Sequence, residues 1–162
     1  MSLFHIRVTK DFLVFSAGHF ITYAGDICER LHGHNYHVAA EVYGPLDENH
    51  YVVDFVALRD ILKELVAEWD HHMLLPTEHS LIHVQVNERE VEATFRDRRW
   101  VFPREDCVLL PIANTTTELL AELLGRKLLD RLTQVCGKRP AKVRVEIDEC
   151  TGQSAICELS DE

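Results

Sequence analysis

Hydrophobic and polar positions alternate along several stretches of the chain, and two other stretches repeat apolar residues at helical spacing. Phe4, Ile6 and Val8 alternate with polar neighbours, Lys10-Asp11 interrupts, and Phe12-Leu-Val-Phe15 resumes, so residues 4 to 20 are expected to be extended. Ala24-Gly25-Asp26 reads as a loop. The extended pattern returns from His32 to Tyr43, Gly44-Pro45 ends it, Asp47-Glu48-Asn49 makes a turn, and Tyr51-Val-Val53 reads as a short strand entry. Asp54 stands at a helix N-cap position before Phe55, Leu58, Ile61, Leu62, Leu65 and Val66. Ile82 to Val86 and Val91 to Phe95 flank a polar turn and predict a hairpin, which Trp100 to Pro103 extends. A second helix is expected to start near Thr116 or Thr117, run through Leu119, Leu120, Leu123, Leu124 and Leu128 toward Leu132, and close at Gly137 and Pro140. Val143, Val145 and Ile147 alternate with Arg144, Glu146 and Asp148, the pattern of a half-buried strand. This order predicts an α+β fold with a mostly antiparallel sheet and helices on one face.

Length changes the picture little: 162 residues suit one domain, 1–162, with its own core. Charge excludes more. Lys plus Arg number 17 against 27 Asp plus Glu, so the net charge is 17 − 27 = −10, and a surface this acidic argues against nucleic acid as a partner. A local basic pocket could still hold a small anion. No apolar run is long enough to span a bilayer, so no membrane partner is expected. The N-terminal residues run straight into alternation with no export signal, and the five cysteines form no CxxC pair; reduced thiols in the cytoplasm are expected.

The histidines carry the candidate chemistry. In His32-Gly33-His34 the two imidazoles, at i and i+2 of a strand, point to one face, with glycine between them to allow a close approach. His19 ends the preceding strand, and an antiparallel neighbour would bring it alongside. Three neutral histidines suit zinc and leave a coordination position open. The His-x-His pair by itself fits a chance pair of exposed strand residues equally well. Cys28, four residues before His32, fits a metal ligand, a catalytic thiol activated by a nearby positive field, or a buried structural thiol. Asp70 beside His71 could orient an imidazole for acid–base work, or simply make a polar helix end. His37, His50, His79 and His83 lack such company and read as surface or hairpin residues.

Six stretches in order carry a resemblance. They are Phe15-Ser-Ala-Gly-His19, Cys28-Glu-Arg-Leu-His32-Gly-His34-Asn-Tyr36, Val53-Asp54-Phe55 with Leu58, Asp70-His71-His72 with Leu74, Asn114-Thr-Thr116-Thr117-Glu118, and Val145-Glu-Ile-Asp-Glu149. Together, over about residues 10 to 157, they resemble the 6-pyruvoyl-tetrahydropterin synthase / 6-carboxy-tetrahydropterin synthase family. The resemblance implies the tunnelling fold, a four-stranded antiparallel sheet with two helices on one face, here with an inserted hairpin around 77–108. It also implies a homohexamer built as a dimer of trimers, with pockets between subunits.

The implied chemistry is zinc-dependent. His19, His32 and His34 would hold Zn2+, Cys28, Asp70 and His71 would move protons, and Thr116, Thr117 and a buried Glu149 would bind the substrate, a pterin triphosphate. A carboxylate at Glu149 suits the paired N–H edge of such a ring. Asp70-His71-His72 with Leu74 resembles the branch that converts 7,8-dihydroneopterin triphosphate to 6-carboxy-5,6,7,8-tetrahydropterin with loss of acetaldehyde and triphosphate, the route to 7-deazaguanines and queuosine. The alternatives are elimination to 6-pyruvoyl-tetrahydropterin and cleavage of the dihydroneopterin side chain toward folate. Glu29, directly after Cys28, resembles the glutamate of family members with the last activity, or is a solvated loop residue. From a different class, a non-catalytic zinc- or pterin-binding protein could use the same fold.

Overall fold

The computed structural model describes residues 4–160. The expectations that fall on Met1–Leu3 and on the last two residues lie outside the described residues. In chain order the elements are β1 (Phe4–His19), β2 (Thr22–Tyr23), β3 (Ile27–Cys28), β4 (His32–Gly44), α1 (Phe55–Ala67), β5 (His72–Pro76), β6 (His83–Val86), β7 (Glu90–Phe95), β8 (Arg98–Pro103), β9 (Cys107–Leu110), α2 (Thr117–Cys136), β10 (Lys142–Cys150) and β11 (Gln153–Ser160). The main sheet runs in the order β11-β10-β4-β1-β5-β9. Its first four strands are antiparallel neighbours, and β5 and β9 add on in parallel.

Strand β1 breaks its register once. Thr9 pairs with Ala39 and Val14 with His37, so five steps on β1 match two on β4, and three residues bulge out around Lys10-Asp11. An odd insertion flips the pleat. The inward residues are even-numbered before it (Val8) and odd-numbered after it (Leu13, Phe15, Ala17). That switch aims His19, at the strand's end, into the protein.

Both helices cover one face of the antiparallel strands. Leu58, Ile61, Leu62 and Leu65 of α1 and Leu120, Leu124, Leu128 and Leu132 of α2 share one core with Phe15, Tyr36, Val42, Val145 and Ile147. Asp54 caps α1, its Oδ1 accepting the Val56 N–H at 2.8 Å. Gly137 closes α2 in the left-handed conformation, φ 66°. Gly125 lets α2 lie close to the sheet, since a Cβ there would meet Leu159 at 3.0 Å.

One expectation needs correction, the hairpin expected after Pro76 is present and extended, and three strands lie outside the expected order. Tyr51–Val53 is a bend, although Val53 is buried as a strand residue would be. The excursion after Pro76 is a three-stranded meander, β6-β7-β8, and a 3-10 turn at Arg104–Asp106 returns the chain to the main sheet at Cys107. It folds over a second apolar cluster of Phe20, Met73, Leu75, Val91, Ala93 and Phe95. Strands β5, β9 and β11 were not foreseen. Strand β5 separates the two cores: Leu74 faces the first, Met73 and Leu75 the second. A strand buried on both faces has no polar alternation to betray it.

Candidate active site and metal centre

The pairing of β1 with β4 builds the histidine cluster. His19 lies opposite His32, and Gly18 opposite Gly33. A Cβ on Gly33 would stand 2.9 Å from the Ala17 carbonyl oxygen, so the close approach that Gly33 allows is by the β1 backbone. His19, His32 and His34 each offer a ring nitrogen, and these atoms lie within 4.8 Å of one another. This group could hold a metal ion.

The surroundings turn the rings inward. The Thr115 carbonyl lies 2.9 Å from His19 Nδ1, and the Arg30 carbonyl 2.9 Å from His32 Nδ1. A carbonyl only accepts, so each Nδ1 carries the proton and each Nε2 presents a lone pair, the usual arrangement behind metal-ligating histidines. His32 Nε2 and His34 Nε2 are 2.9 Å apart, a distance that calls for a shared proton or a shared cation. His19 is only 1% exposed, and burial pushes its imidazole below the ordinary histidine range despite the Thr115 carbonyl. The ring is therefore neutral at pH 7, as a ligand must be. Tyr36 Oη stands 3.2 Å from His19 Nε2.

Two cavities adjoin the cluster. One, about 610 Å3, is lined by His32, His34 and Asn35 of β4, Ser16 of β1, His71, and Phe102 and Asp106 from the meander side. The other, about 430 Å3, is lined by Thr22, Tyr23, Thr116, Thr117 and Glu149. Glu149 joins the second cavity to the histidine cluster: its Oε1 lies 3.3 Å from His34 Nε2 and 3.8 Å from His19 Nε2. The buried carboxylate expected at Glu149 is instead 30% exposed, near the end of β10 and on the wall of the second cavity. Thr116 is the N-cap of α2, yet its side chain makes no capping bond. The second cavity thus faces a carboxylate on one side and an open helix N-terminus with threonine hydroxyls on the other, an acceptor and donors set against each other.

Asp70 and His71 lie where α1 hands over to β5. Ser16 N–H donates to Asp70 Oδ1 at 2.8 Å, His71 N–H donates to the Ser16 carbonyl at 2.7 Å, and His71 Nδ1–H donates to Asp70 Oδ2 at 2.9 Å. The Ser16 N–H, then the imidazole, hold the Asp70 carboxyl below the usual carboxylate range, so it stays ionised. His71 adopts φ 60°, a left-handed conformation uncommon outside glycine, and its side chain is 83% exposed at the rim of the larger cavity.

Cys28 is not gathered into this group. It sits in the short ribbon β2–β3 opposite Thr22, packed against the second apolar cluster, with Sγ 3.5 Å from the Glu29 carbonyl. Burial pushes the thiol up, and the guanidinium of Arg98 pulls against that rise. The Glu29 carboxylate does reach the cluster, with Oε2 3.6 Å from His32 Nδ1. All five cysteines are free, and among the described residues no helix is long and apolar enough to cross a membrane.

Thr115, Tyr36, Arg98 and His79 escaped the sequence reading. Thr115 is fully buried and holds the strand end through its carbonyl on His19 and its hydroxyl on the Phe20 carbonyl. His79, expected at the surface, accepts the N–H groups of Leu81 and Ile82 at Nδ1 and so donates from Nε2 to the Thr22 hydroxyl at 2.7 Å. Only the Asn114–Thr117 run gave a signal for Thr115.

The chain resembles known proteins along nearly its whole length. A Methanocaldococcus jannaschii protein, provisionally named a 6-carboxy-5,6,7,8-tetrahydropterin synthase, is 32% identical over 144 residues, 88% of each chain. The 6-pyruvoyl tetrahydropterin synthase structure from Plasmodium falciparum superposes with a TM-score of 0.91 at 27% identity, covering 99% of this chain and all of that one. The Plasmodium vivax enzyme, studied as a catalytic-residue mutant with glutamate changed to alanine, superposes at 0.90 with 25% identity and the same coverage. The family profile for 6-pyruvoyl tetrahydropterin synthase matches residues 7–160, and the chain belongs to that family.

Proposed function

We propose that the protein is a zinc-dependent lyase that converts 7,8-dihydroneopterin triphosphate to 6-carboxy-5,6,7,8-tetrahydropterin, releasing acetaldehyde and triphosphate. The observation that carries this reading is the junction at Glu149, where a three-histidine cluster and a pocket suited to a pterin edge share one carboxylate. The name given to the Methanocaldococcus jannaschii relative supports the product.

The residues fit zinc. Bonds of about 2.0–2.1 Å in a tetrahedral site set ligand nitrogens about 3.3 Å apart. The observed separations, 2.9 Å for His32 and His34 and at most 4.8 Å within the group, bracket that value. When bound there, zinc supplies Lewis-acid polarisation to oxygens of the substrate side chain. Glu149 accepts the pterin N–H edge, with Thr116 and Thr117 across the pocket. Asp70 fixes His71 through Nδ1, which leaves Nε2 as the atom that takes or gives a proton at the rim. Cys28 or Glu29 provides the second proton-moving group.

The working unit is a hexamer, a dimer of trimers. A catalytic imidazole 83% exposed in one subunit needs a neighbour to close its cavity, and β11 and β9 each leave one edge unpaired. The direct experiment is product analysis of zinc-loaded protein with 7,8-dihydroneopterin triphosphate by mass spectrometry, on material sized by sedimentation. Acetaldehyde with the 6-carboxy product supports the reading, the 6-pyruvoyl or 6-hydroxymethyl product redirects it, and turnover by a monomer removes the assembly from it.

Exchange of Glu149 for glutamine is expected to weaken pterin binding about 10- to 100-fold, since hydrogen bonds to a charged group are worth about 1.5–3 kcal/mol. Zinc content should hold. Calorimetric titration with neopterin reads the first and metal analysis the second. Unchanged affinity sinks the anchoring role, whereas lost metal would make Glu149 a ligand.

A second reading assigns the base to Glu29 and the reaction to side-chain cleavage. It is favoured by the reach of the Glu29 carboxylate toward His32, and by the catalytic glutamate reported for the Plasmodium vivax enzyme.

A further inference from the structure

The meander β6–β8 supplies none of the metal-binding or proton-moving groups above, yet it touches residues 20–29 at three points. The Arg96 guanidinium pairs with the Asp26 carboxylate. Arg98 Nη1 donates to the Cys28 carbonyl at 2.8 Å and to the Glu29 carbonyl at 3.0 Å. Trp100 stacks on Phe20, centroids 4.3 Å apart and planes 20° from parallel, and Phe20 directly follows His19. Arg98 is itself braced, its guanidinium carbon 4.6 Å from the centre of the Trp100 ring.

These contacts form one connected unit. The two carbonyls held by Arg98 belong to consecutive residues, so fixing both fixes the peptide plane between Cys28 and Glu29. From that plane the thiol and the carboxylate diverge, one toward the apolar cluster and one toward His32. The ribbon β2–β3 has only two residues in each strand and cannot hold this orientation by its own ladder. A planar, permanently charged guanidinium suits the task, because Nη1 donates to both carbonyls while the group lies over the Trp100 ring; an ammonium group offers no such plane to the ring.

We propose that the meander is a clamp on residues 20–29, and that Arg98 is the positioning residue that sets where the Cys28 thiol and the Glu29 carboxylate stand relative to the histidine cluster. This rests on the reading that one of those two groups moves a proton in the reaction.

The test uses full-length, zinc-loaded Arg98→Ala and Arg98→Lys proteins. One readout needs no turnover: the pH midpoint for alkylation of Cys28 by iodoacetamide, followed on its own peptide by mass spectrometry. Loss of the guanidinium, whose charge opposes the rise that burial causes, is expected to raise that midpoint. In the same variant kcat should fall about 10- to 100-fold, as expected for a misplaced reacting group, with KM and zinc content held. Arg98→Lys keeps the charge and loses the planar group braced on Trp100, so its midpoint should return toward that of the unmodified protein while kcat stays low. An unchanged midpoint and kcat in Arg98→Ala would overturn the clamp. So would a lysine variant with full kcat, since charge alone would then suffice. If the unmodified protein turns over no pterin, the proposed reaction fails, and the alkylation midpoints still decide whether Arg98 acts on Cys28.

Discussion

Replacement of His32 by alanine is expected to strip the metal from the protein and to lower turnover by at least about 10^3-fold, since Lewis-acid stabilisation is worth several kcal/mol and about 1.4 kcal/mol is a factor of ten. His32 is the informative member of the three. Its side chain is 34% exposed at the start of β4, and its ring packs on the rings of His19 and His34, so alanine there opens onto solvent rather than a buried cavity. His19 would give a confounded result: it is buried against Tyr36, and its Nδ1 proton satisfies the Thr115 carbonyl, so His19→Ala would also leave a cavity and an unpaired carbonyl at the head of α2. In His32→Ala the melting temperature of the metal-free protein should hold. Stoichiometry by metal analysis after dialysis, together with turnover at saturating substrate, gives the result. A variant that keeps one metal per chain removes His32 from the ligand set. One that loses the metal and keeps its turnover removes the metal from the chemistry.

The extent to which the sequence revealed this fold follows from how each element is buried. Helix α1 was legible because Asp54 marks its start and its apolar residues face one core at helical spacing. Helix α2 was legible for the same reason, with Gly137 marking its end. Strand β10, and β4 as far as Val38, alternate because one face packs on the helices and the other stays more open. Strand β5 did not alternate, since both of its faces are buried, and Met73-Leu74-Leu75 carries no period to read. Strand β11 was missed because it is an edge: Ala155, Cys157 and Leu159 are only half-buried, and the apolar Ile156 on the other face breaks the polar alternation. The turn at Thr151-Gly152, with Gly152 at φ 87°, was the available signal.

The site was legible where a short motif holds the chemistry and illegible where distant segments meet. His32-Gly33-His34 shows its geometry in three residues, and His19 follows from antiparallel pairing. Nothing near Cys28 points to Arg98, which lies 70 positions away and acts through backbone carbonyls that any residue would supply. Thr115 likewise works through its carbonyl, 96 positions from His19, so its identity gave no hint of that contact. Adjacency also misled. Cys28 and Glu29 are neighbours in sequence, and an extended backbone sends their side chains to opposite sides. The thiol, read as the reactive group, turns to the apolar cluster, and the carboxylate turns to the histidines.

That divergence sets up the second large effect. If Cys28 is the base, Cys28→Ala should lower kcat about 10^2- to 10^4-fold, the usual contribution of a positioned acid or base, while zinc content and pterin affinity hold. Glu29→Gln should then cost little, since the side-chain oxygen can still accept the Ile21 N–H that Glu29 takes at 3.4 Å. If Glu29 is the base the two results exchange, and the product should change with them toward side-chain cleavage. The thiol begins with a handicap: burial pushes it above its ordinary range, and Arg98 opposes that only in part. A thiol held protonated is a poor base at pH 7, and a bound cation or substrate has to favour the thiolate before Cys28 can act. The pH profile therefore separates the cases. With Cys28 as base, kcat/KM rises with pH through the alkaline titration of the thiol, and that limb disappears in Cys28→Ala. With Glu29 as base, the alkaline limb is absent from the unmodified protein and Cys28→Ala leaves the profile unchanged. Full activity in both single variants would assign the proton transfer to neither residue and turn attention to the Asp70–His71 pair at the rim of the larger cavity.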